Sequence, residues 1–181
     1  EPDTMSVLLH EVILVDEQDN PVGTMEKMEA HRLGRLHRAF SVFVFDAKGR
    51  LLLQQRAMSK YHSAGLWTNT CCSHPAPGET TGAAAGRRLQ EEMGFNTPLQ
   101  KVFDFVYRAA FSNGLTEHEF DHVLTGQYEG KIQPDPDEVM AYRYEPVPVI
   151  EKELLQNPEH FSAWFAAAFP RIKEWWEQYY H

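Results

Sequence analysis

The 181-residue chain has only two cysteines, no long apolar run and too few basic residues to balance its acids. Two cysteines cannot build a disulfide framework, and neighbouring cysteines rarely pair because the linkage strains the peptide between them. No apolar stretch reaches the roughly 18 residues that a membrane-spanning helix needs. The net charge of −9 disfavours general binding to nucleic acid or to anionic membranes. We therefore expect a cytoplasmic protein without nucleic-acid or membrane partners.

Length and hydrophobic content predict one globular domain over residues 1–181. We expect residues 1–8 to be flexible or left over from cloning, with Met5 as the natural start. Residues 151–181 are expected to form a helical tail that packs on the domain, with a break or kink near Pro170.

The predicted order is strand-rich, with one central helix. Alternating patterns predict strands at 10–16, 37–46, 51–56, 99–111, 118–128 and 138–147. Residues 17–23 are expected to form a turn, and residues 80–95 a helix that ends at Gly94. Gly82 and Gly86 inside that helix suggest close packing. These elements favour an α/β (α+β) fold in which helices cover a mixed or antiparallel sheet.

The stretch TNTCCSHP at 68–75 contains both cysteines, and His74 lies two residues after Cys72. A disulfide, a metal knuckle and a reactive thiol in a catalytic cleft are the three candidate explanations. Strain disfavours the disulfide. Adjacent cysteines also lack the Cys-x₂-Cys spacing of a zinc knuckle, so the metal explanation fits less well.

Three histidines and two glutamates form a candidate metal site. In EHEFD, Glu117, Glu119 and Asp121 would face one side of a strand, where carboxylates repel unless a cation or proton lies between them. An edge strand with a solvated acidic face is the alternative. His31, His37 and His74 could join the two glutamates around Zn²⁺, Mn²⁺ or Mg²⁺, although partly buried histidines often have no ligand role.

The segment SHPAPGETTGAAAGRRLQEEMGF at 73–95 matches most positions of a Nudix box, through Glu79, Arg87, Glu91, Glu92 and Gly94. Its glutamates could present oxygen ligands to Mg²⁺, while a solvated helix with i,i+4 ion pairs is the alternative. The box departs from its pattern at Arg88, where a hydrolase has a glutamate. An arginine cannot bind metal or act as a base, but it can grip a diphosphate.

Together these motifs closely resemble type 1 isopentenyl diphosphate isomerase, a Nudix-superfamily enzyme. The resemblance rests on TNTCCSHP, EHE at 117–119, the modified box and EKMEAHRLGRLHRAF at 26–40, and it runs from about Val12 to Trp164. It implies a Nudix-like α/β/α sandwich with a mixed sheet. It also implies an isomerase of isoprenoid precursor biosynthesis that interconverts isopentenyl and dimethylallyl diphosphate through a tertiary carbocation, with Cys72 and Glu119 on opposite faces of the alkene.

The resemblance also implies a role for each matched residue. Cys72, Glu119 and Tyr107 would be catalytic, and a divalent metal (Mn²⁺, Zn²⁺ or Mg²⁺) would be held by His31, His37, His74, Glu117 and Glu119. A second, diphosphate-bridging Mg²⁺ would be bound by Glu92 and the backbone carbonyl of Cys72. The substrate would be bound by Lys27, Arg56, Lys60, Arg88, Trp67 and Trp164. We expect a monomer, with a dimer as the alternative.

The chemistry of the reaction adds two expectations. A dry pocket with aromatic faces stabilises a carbocation by cation–π attraction. A thiolate base at Cys72 requires a lowered pKa, which nearby cations or a metal could provide. A Nudix hydrolase is the competing enzyme, against which Arg88 and the additional Cys72 and EHE motifs argue, and a non-catalytic metal or redox protein is the third possibility.

Overall fold

The computed structural model describes residues 10–180. The predictions for residues 1–8 and for a start at Met5 lie outside that range. Along the described chain the strands are β1 Glu11–Val15, β2 Pro21–Glu26, β3 His37–Phe45, β4 Arg50–Arg56, β5 Trp67–Thr68, β6 Cys71–Ser73, β7 Gln100–Ala110, β8 Thr116–Gln127 and β9 Val139–Pro146. The helices are α1 Lys27–Leu33, α2 Thr81–Met93, α3 Val147–Gln156 and α4 Ala163–Tyr180, with a short 3₁₀ turn at Pro158–His160.

The central strand of the sheet is β3. Along one side it pairs in parallel with β8, from His37 opposite Glu119 to Phe45 opposite Gln127. Along its other side it pairs with β1, β6 and β4 in turn, all antiparallel. The sheet is therefore mixed, as predicted.

Helices cover both faces of this sheet. Phe40, Val42 and Val44 of β3 join a core cluster with α2. Phe43 and Phe45 join a second cluster, with α3 and α4. Because successive side chains of a strand point to opposite faces, the two clusters lie on opposite sides of the sheet. The α/β/α sandwich with C-terminal helices is confirmed.

Of the two alternatives predicted near Pro170, a break is wrong, because α4 continues through Pro170, and a kink stays a prediction. A proline inside a helix removes the hydrogen bond to the carbonyl four residues earlier, here Ala166. Both residues are exposed, so water can satisfy that carbonyl. Among residues 10–180, none of the helices has the length and apolar character required to span a membrane.

Sequence patterns missed β2 and α1, and the predicted helical tail over 151–181 included only the second half of α3. The segment expected to form a turn continues into β2, which pairs with β1. Because β2 is almost fully exposed, it has no alternating apolar pattern to reveal it. The seven-residue helix α1 is similarly too short to give a clear helical period.

The glycines of α2 have different roles. Gly94 ends the helix in a left-handed conformation with φ of 75°, as predicted, and a Cβ there would lie 2.4 Å from the Gln133 carbonyl oxygen. Gly82 and Gly86 lie in open space, since no atom is within 4 Å of a Cβ built on either. The expectation that they mark close packing is wrong.

Two matched substitutions test this difference. Gly94→Ala should lower the free energy of unfolding by more than about 1 kcal/mol, because the new methyl group is strained and collides with backbone. Gly86→Ala should raise it by about 0.5–1 kcal/mol, because alanine costs less entropy inside a helix. Urea titration of both variants measures the two changes. Equal changes of the same sign would contradict this account of the helix terminus.

Candidate active site

The two adjacent cysteines separate because they lie on strand β6. In the antiparallel pairing with β3, Cys71 lies opposite Val42 and Cys72 opposite Ser41. Since paired residues share a face, Cys71 points towards α2 and Cys72 towards the side of α4. The Cys71 thiol donates a hydrogen bond to Glu92 Oε2 at 2.7 Å. The neighbours thus belong to different environments, and both thiols are free.

Two buried histidines present a free nitrogen to the same place. Nδ1 of His31 hydrogen-bonds to the Lys27 carbonyl at 2.7 Å, and Nδ1 of His37 to the Arg35 carbonyl at 2.8 Å. Each contact fixes a tautomer with the proton on Nδ1 and a lone pair on Nε2. Among residues 10–180, both Nε2 atoms lack a hydrogen-bond partner. One nitrogen from each, with one from His74, lie within 4.8 Å of one another, as in a metal site.

The two glutamates complete this cluster. Because β3 and β8 run in parallel register, His37 lies directly beside Glu119, with His37 Nε2 3.7 Å from Glu119 Oε2. His74 Nε2 lies 2.9 Å from the same oxygen. Glu117 is two residues earlier, on the same face of β8. Since β8 is paired on both sides and the acids are buried, an edge strand with a solvated face is excluded.

The charges of the cluster are suited to a cation. Burial, followed by the repulsion of neighbouring imidazoles, lowers the pKa of His37 and of His74 well below the usual value. Burial, followed by the Glu119 carboxylate, raises the pKa of Glu117. Neutral imidazoles are the form that binds metal, and a cation would relieve the repulsion between the carboxylates. The residues present therefore fit a divalent metal.

Cys72 lies in a small cavity of about 40 Å³ on the sheet face that carries Glu119. The indole Nε1 of Trp164 donates to Cys72 Sγ at 3.1 Å, and the thiol donates to Asn69 Oδ1 at 3.0 Å. Asp121 also lines this cavity. Burial, followed by the Asp121 carboxylate, raises the pKa of Cys72. The protein groups around Cys72 thus favour the thiol, and the lowered pKa expected from nearby cations or a metal stays a prediction.

Tyr107 lies opposite Glu119 in the antiparallel pairing of β7 with β8. Its hydroxyl is buried and has no hydrogen-bond partner among residues 10–180. Burial, followed by the Glu117 carboxylate, raises the pKa of Tyr107. The phenol therefore stays protonated beside the acids.

A second cavity, of about 330 Å³, adjoins the first through shared residues that include Arg56, Cys72 and His74. It is lined by all four predicted substrate-binding cations, Lys27, Arg56, Lys60 and Arg88. Burial, followed by the Lys60 charge, lowers the pKa of Lys27. The same cleft is also lined by acids, so several of its cations are paired: Lys60 contacts Glu138 and Arg88 contacts Glu91. An anionic ligand would compete with these carboxylates for the cations.

Glu92 lines the same cleft beside Arg88, whose Nη2 lies 3.4 Å from Glu92 Oε1. Arg88 also contacts Glu91. This arginine, which replaces a glutamate of the Nudix box, therefore contacts two acidic side chains. The predicted roles of Glu92 and of the Cys72 carbonyl in binding Mg²⁺ stay predictions.

The structure does not bring Trp67 into either cavity. Its ring packs against the cluster under α4, and the Arg143 guanidinium lies 4.5 Å from the ring centroid. Trp67 lies on the α4 side of the sheet, as Cys72 does, but it lines neither cavity. Trp164, in contrast, contacts Cys72 directly.

Sequence reasoning missed two residues of the clefts, His62 and Glu138, and gave a third, Asp121, no role in the site. His62 lies 3.2 Å from Glu117, and Asp121 accepts a hydrogen bond from Ser41 at 2.7 Å. Glu138 pairs with Lys60 at 2.6 Å. Asp121 is the last residue of EHEFD and was placed on the same strand face as Glu117 and Glu119. His62 and Glu138 belong to no motif that could have revealed them.

The fold and this site define a Nudix domain, and the model of the NUDIX domain family matches residues 35–165. A Deinococcus radiodurans structure aligns with a TM-score of 0.75 at 18% identity, over 89% of this chain and 98% of that one. The MutT protein of Methanosarcina mazei aligns with a TM-score of 0.63, also at 18% identity, over 77% and 94% of the two chains. At such identities the likeness shows the fold alone.

Sequence comparison is more specific. An isopentenyl-diphosphate Delta-isomerase of Pectobacterium atrosepticum is 52% identical over 94% of this chain and 96% of its own. One from Serratia proteamaculans is 55% identical over 85% and 86% of the two chains. The chain belongs to the isopentenyl-diphosphate Delta-isomerase family of the Nudix superfamily.

Removal of bound divalent metal should destabilise the protein. At a free metal concentration 100 times the dissociation constant, binding stabilises the folded state by about 2.7 kcal/mol, which corresponds to about 5–10 °C in Tm for a chain of this size. Calorimetry of Zn²⁺-loaded protein with and without EDTA measures this shift. His37→Gln should largely lose the shift, whereas exposed His160→Gln should keep it. An equal EDTA effect in both variants would place the metal elsewhere.

Proposed function

We propose that this protein interconverts isopentenyl diphosphate and dimethylallyl diphosphate by adding a proton at one carbon and removing one two carbons away. The observation that carries the proposal is that the Cys72 thiol and the Glu119 carboxyl line one small cavity, which opens into a cleft lined by four cations. An acid–base pair beside an anion-binding cleft is the arrangement that this reaction requires.

The cleft anchors the diphosphate. Lys27, Arg56, Lys60 and Arg88 neutralise its charge at a distance from the proton transfers. Binding by these cations keeps the diphosphate in the cleft and so opposes its loss, which matters because an allylic diphosphate is a good leaving group. Mg²⁺ bound at Glu92, with the Cys72 carbonyl, would neutralise further charge there.

Cys72 and Glu119 act on opposite faces of the alkene, and each exchanges one proton with it. From isopentenyl diphosphate, the Glu119 acid, with Tyr107 beside it, delivers a proton to C4, and the C3=C4 double bond becomes a tertiary cation at C3. The Cys72 thiolate then removes a proton from C2, which forms the C2=C3 bond. One proton enters and one leaves. In the reverse direction the neutral thiol, the form favoured by its raised pKa, donates to C2.

The pKa of Glu119 supports its assignment as the acid. Burial raises this pKa to about 7, and a cation bound to the same carboxylate would lower it from that value. General acids work best when their pKa lies near the operating pH. The divalent metal held by His31, His37, His74, Glu117 and Glu119 would supply charge that fixes the carboxyl in place.

Aromatic groups surround the cavity where the cation would form. Trp164 lines it and contacts Cys72 through its indole N–H, and Tyr61 lines it from the loop after β4. Aromatic faces stabilise a carbocation without acting as nucleophiles. The same side chains exclude water, which would otherwise trap the cation.

Incubation with isopentenyl diphosphate and Mg²⁺, followed by acid treatment, tests the function. An isomerase should yield an acid-labile product, because an allylic diphosphate ionises in acid and its isomer does not. Nucleoside diphosphates should release no phosphate, since Arg88 replaces the glutamate of a hydrolytic Nudix box. Phosphate release from these nucleotides, without acid-labile product, would instead identify a hydrolase.

A further inference from the structure

Glu138 is a carboxylate inside the cleft that holds the four predicted diphosphate-binding cations. It lies just before β9, and only 26% of its side chain is exposed. Its Oε2 accepts a hydrogen bond from Lys60 Nζ at 2.6 Å. Its Oε1 lies 3.7 Å from Arg88 Nη2. One carboxylate of the protein therefore contacts two of the cations that the diphosphate is expected to use.

Backbone hydrogen bonds fix Glu138 beside both cations. Its carbonyl accepts from the Ala57 N–H at 3.0 Å, and the Ala57 carbonyl accepts from the N–H of Lys60 at 3.2 Å. Its own N–H donates to the Asp135 carbonyl at 3.0 Å, and the Asp135 N–H donates to the carbonyl of Glu92 on α2 at 2.9 Å. Glu138 is thus tied to the turn that carries Lys60 and to the helix that carries Arg88. The ion pairs are positioned by the fold as well as by the side chains.

Glu138 is ionised at neutral pH. Burial opposes its charged form, but the hydrogen bond from Lys60, followed by the charges of Lys60 and Arg88, outweighs burial and lowers the pKa of this carboxyl. The carboxylate therefore brings a full negative charge to two of the cations. Such a charge is unexpected in a cleft whose only task is to bind an anion.

An anion that binds Lys60 or Arg88 must share each of them with Glu138. The Lys60 ammonium has three donors, so it can contact a phosphate oxygen and the carboxylate at once, but the two anions then lie close together and repel. Arg88 Nη2 is placed similarly, at 3.4 Å from Glu92 and 3.7 Å from Glu138. A bare diphosphate therefore meets like charge at both cations.

The lining of the whole cleft is close to electrically balanced. Within the described chain, five basic and four acidic side chains line it: Lys27, Arg56, Lys60, Arg87 and Arg88 with Glu11, Glu91, Glu92 and Glu138. A Mg²⁺ complex of a diphosphate carries both signs of charge. Its phosphate oxygens suit the basic groups, and Mg²⁺ prefers oxygen ligands such as carboxylates. The mixed lining fits this complex better than it fits the bare anion.

We propose that Glu138 is a specificity-determining residue of the cleft, which makes the protein select a Mg²⁺-complexed diphosphate over the metal-free anion. The inference rests on the proposed function, which supplies the diphosphate. Glu138 repels the bare anion at Lys60 and Arg88, whereas the cation of the complex offsets that repulsion. Discrimination of this kind comes from a repulsive element directed against the wrong ligand.

Titration calorimetry with inorganic diphosphate tests the proposal without relying on turnover. Zn²⁺-loaded protein is titrated in Mg²⁺-free buffer and again in excess Mg²⁺, and the ratio of the two dissociation constants measures the preference for the complex. Glu138→Gln keeps the size of the side chain and removes its charge. It should tighten metal-free binding by about tenfold or more, because a like charge beside the anion is lost. Binding with Mg²⁺ should not become tighter, so the ratio should fall.

Glu145→Gln is the matched control. Glu145 is similarly buried, with 24% of its side chain exposed, and pairs with Arg143 outside the cleft. Its substitution makes the same change in net charge and should leave the ratio unaltered. An unchanged ratio in Glu138→Gln, or an equal fall in Glu145→Gln, would overturn the role of Glu138 and leave the cleft intact. If the unaltered protein bound no diphosphate even with Mg²⁺, the cleft assignment and the proposed function would fail instead.

Discussion

The site depends on the parallel register of β3 and β8. Because His37 lies beside Glu119 in that register, a buried imidazole and a buried carboxylate are fixed next to each other by backbone hydrogen bonds. The same register carries Asp121 to the Ser41 hydroxyl. On the other side of β3, β6 brings Cys72 to Ser41 and leads His74 to Glu119. One strand therefore aligns Cys72, Glu119 and two of the predicted metal ligands, His37 and His74.

Charge explains how an acidic chain can hold a diphosphate. The overall charge of −9 would repel such a ligand, but four cations gather in one cleft, where Lys60 pairs with Glu138. The buried acids of the adjoining cavity have raised pKa values, which reduces their negative charge. The cleft predicted to bind the diphosphate and the cavity predicted to hold the proton transfers therefore lie side by side with different electrostatic character.

The order of predicted elements indicated helices covering a mixed sheet, and the family resemblance predicted the sandwich and most of the groups that line the clefts. Cys72, Glu119, Lys27 and Arg88 could be identified because they lie within the matched motifs, whereas Arg56 and Lys60 rest on the family resemblance alone. His62 could not, since a histidine in a long irregular loop carries no periodic signal and only the fold brings it to Glu117. The position of Trp67 outside both cavities and the raised pKa of Cys72 could not be predicted either, because both depend on the neighbours that the fold packs around each side chain.

The central claim is that the pleat of β6 gives two adjacent thiols different roles, and paired alanine variants test it most directly. Cys72→Ala should lower kcat for isomerisation by about 10²- to 10⁴-fold, the usual contribution of a positioned acid or base. Cys71→Ala should keep most of the turnover, because its thiol contacts Glu92 and faces away from the cavity. Loss of turnover in Cys71→Ala with near-normal activity in Cys72→Ala would contradict the account.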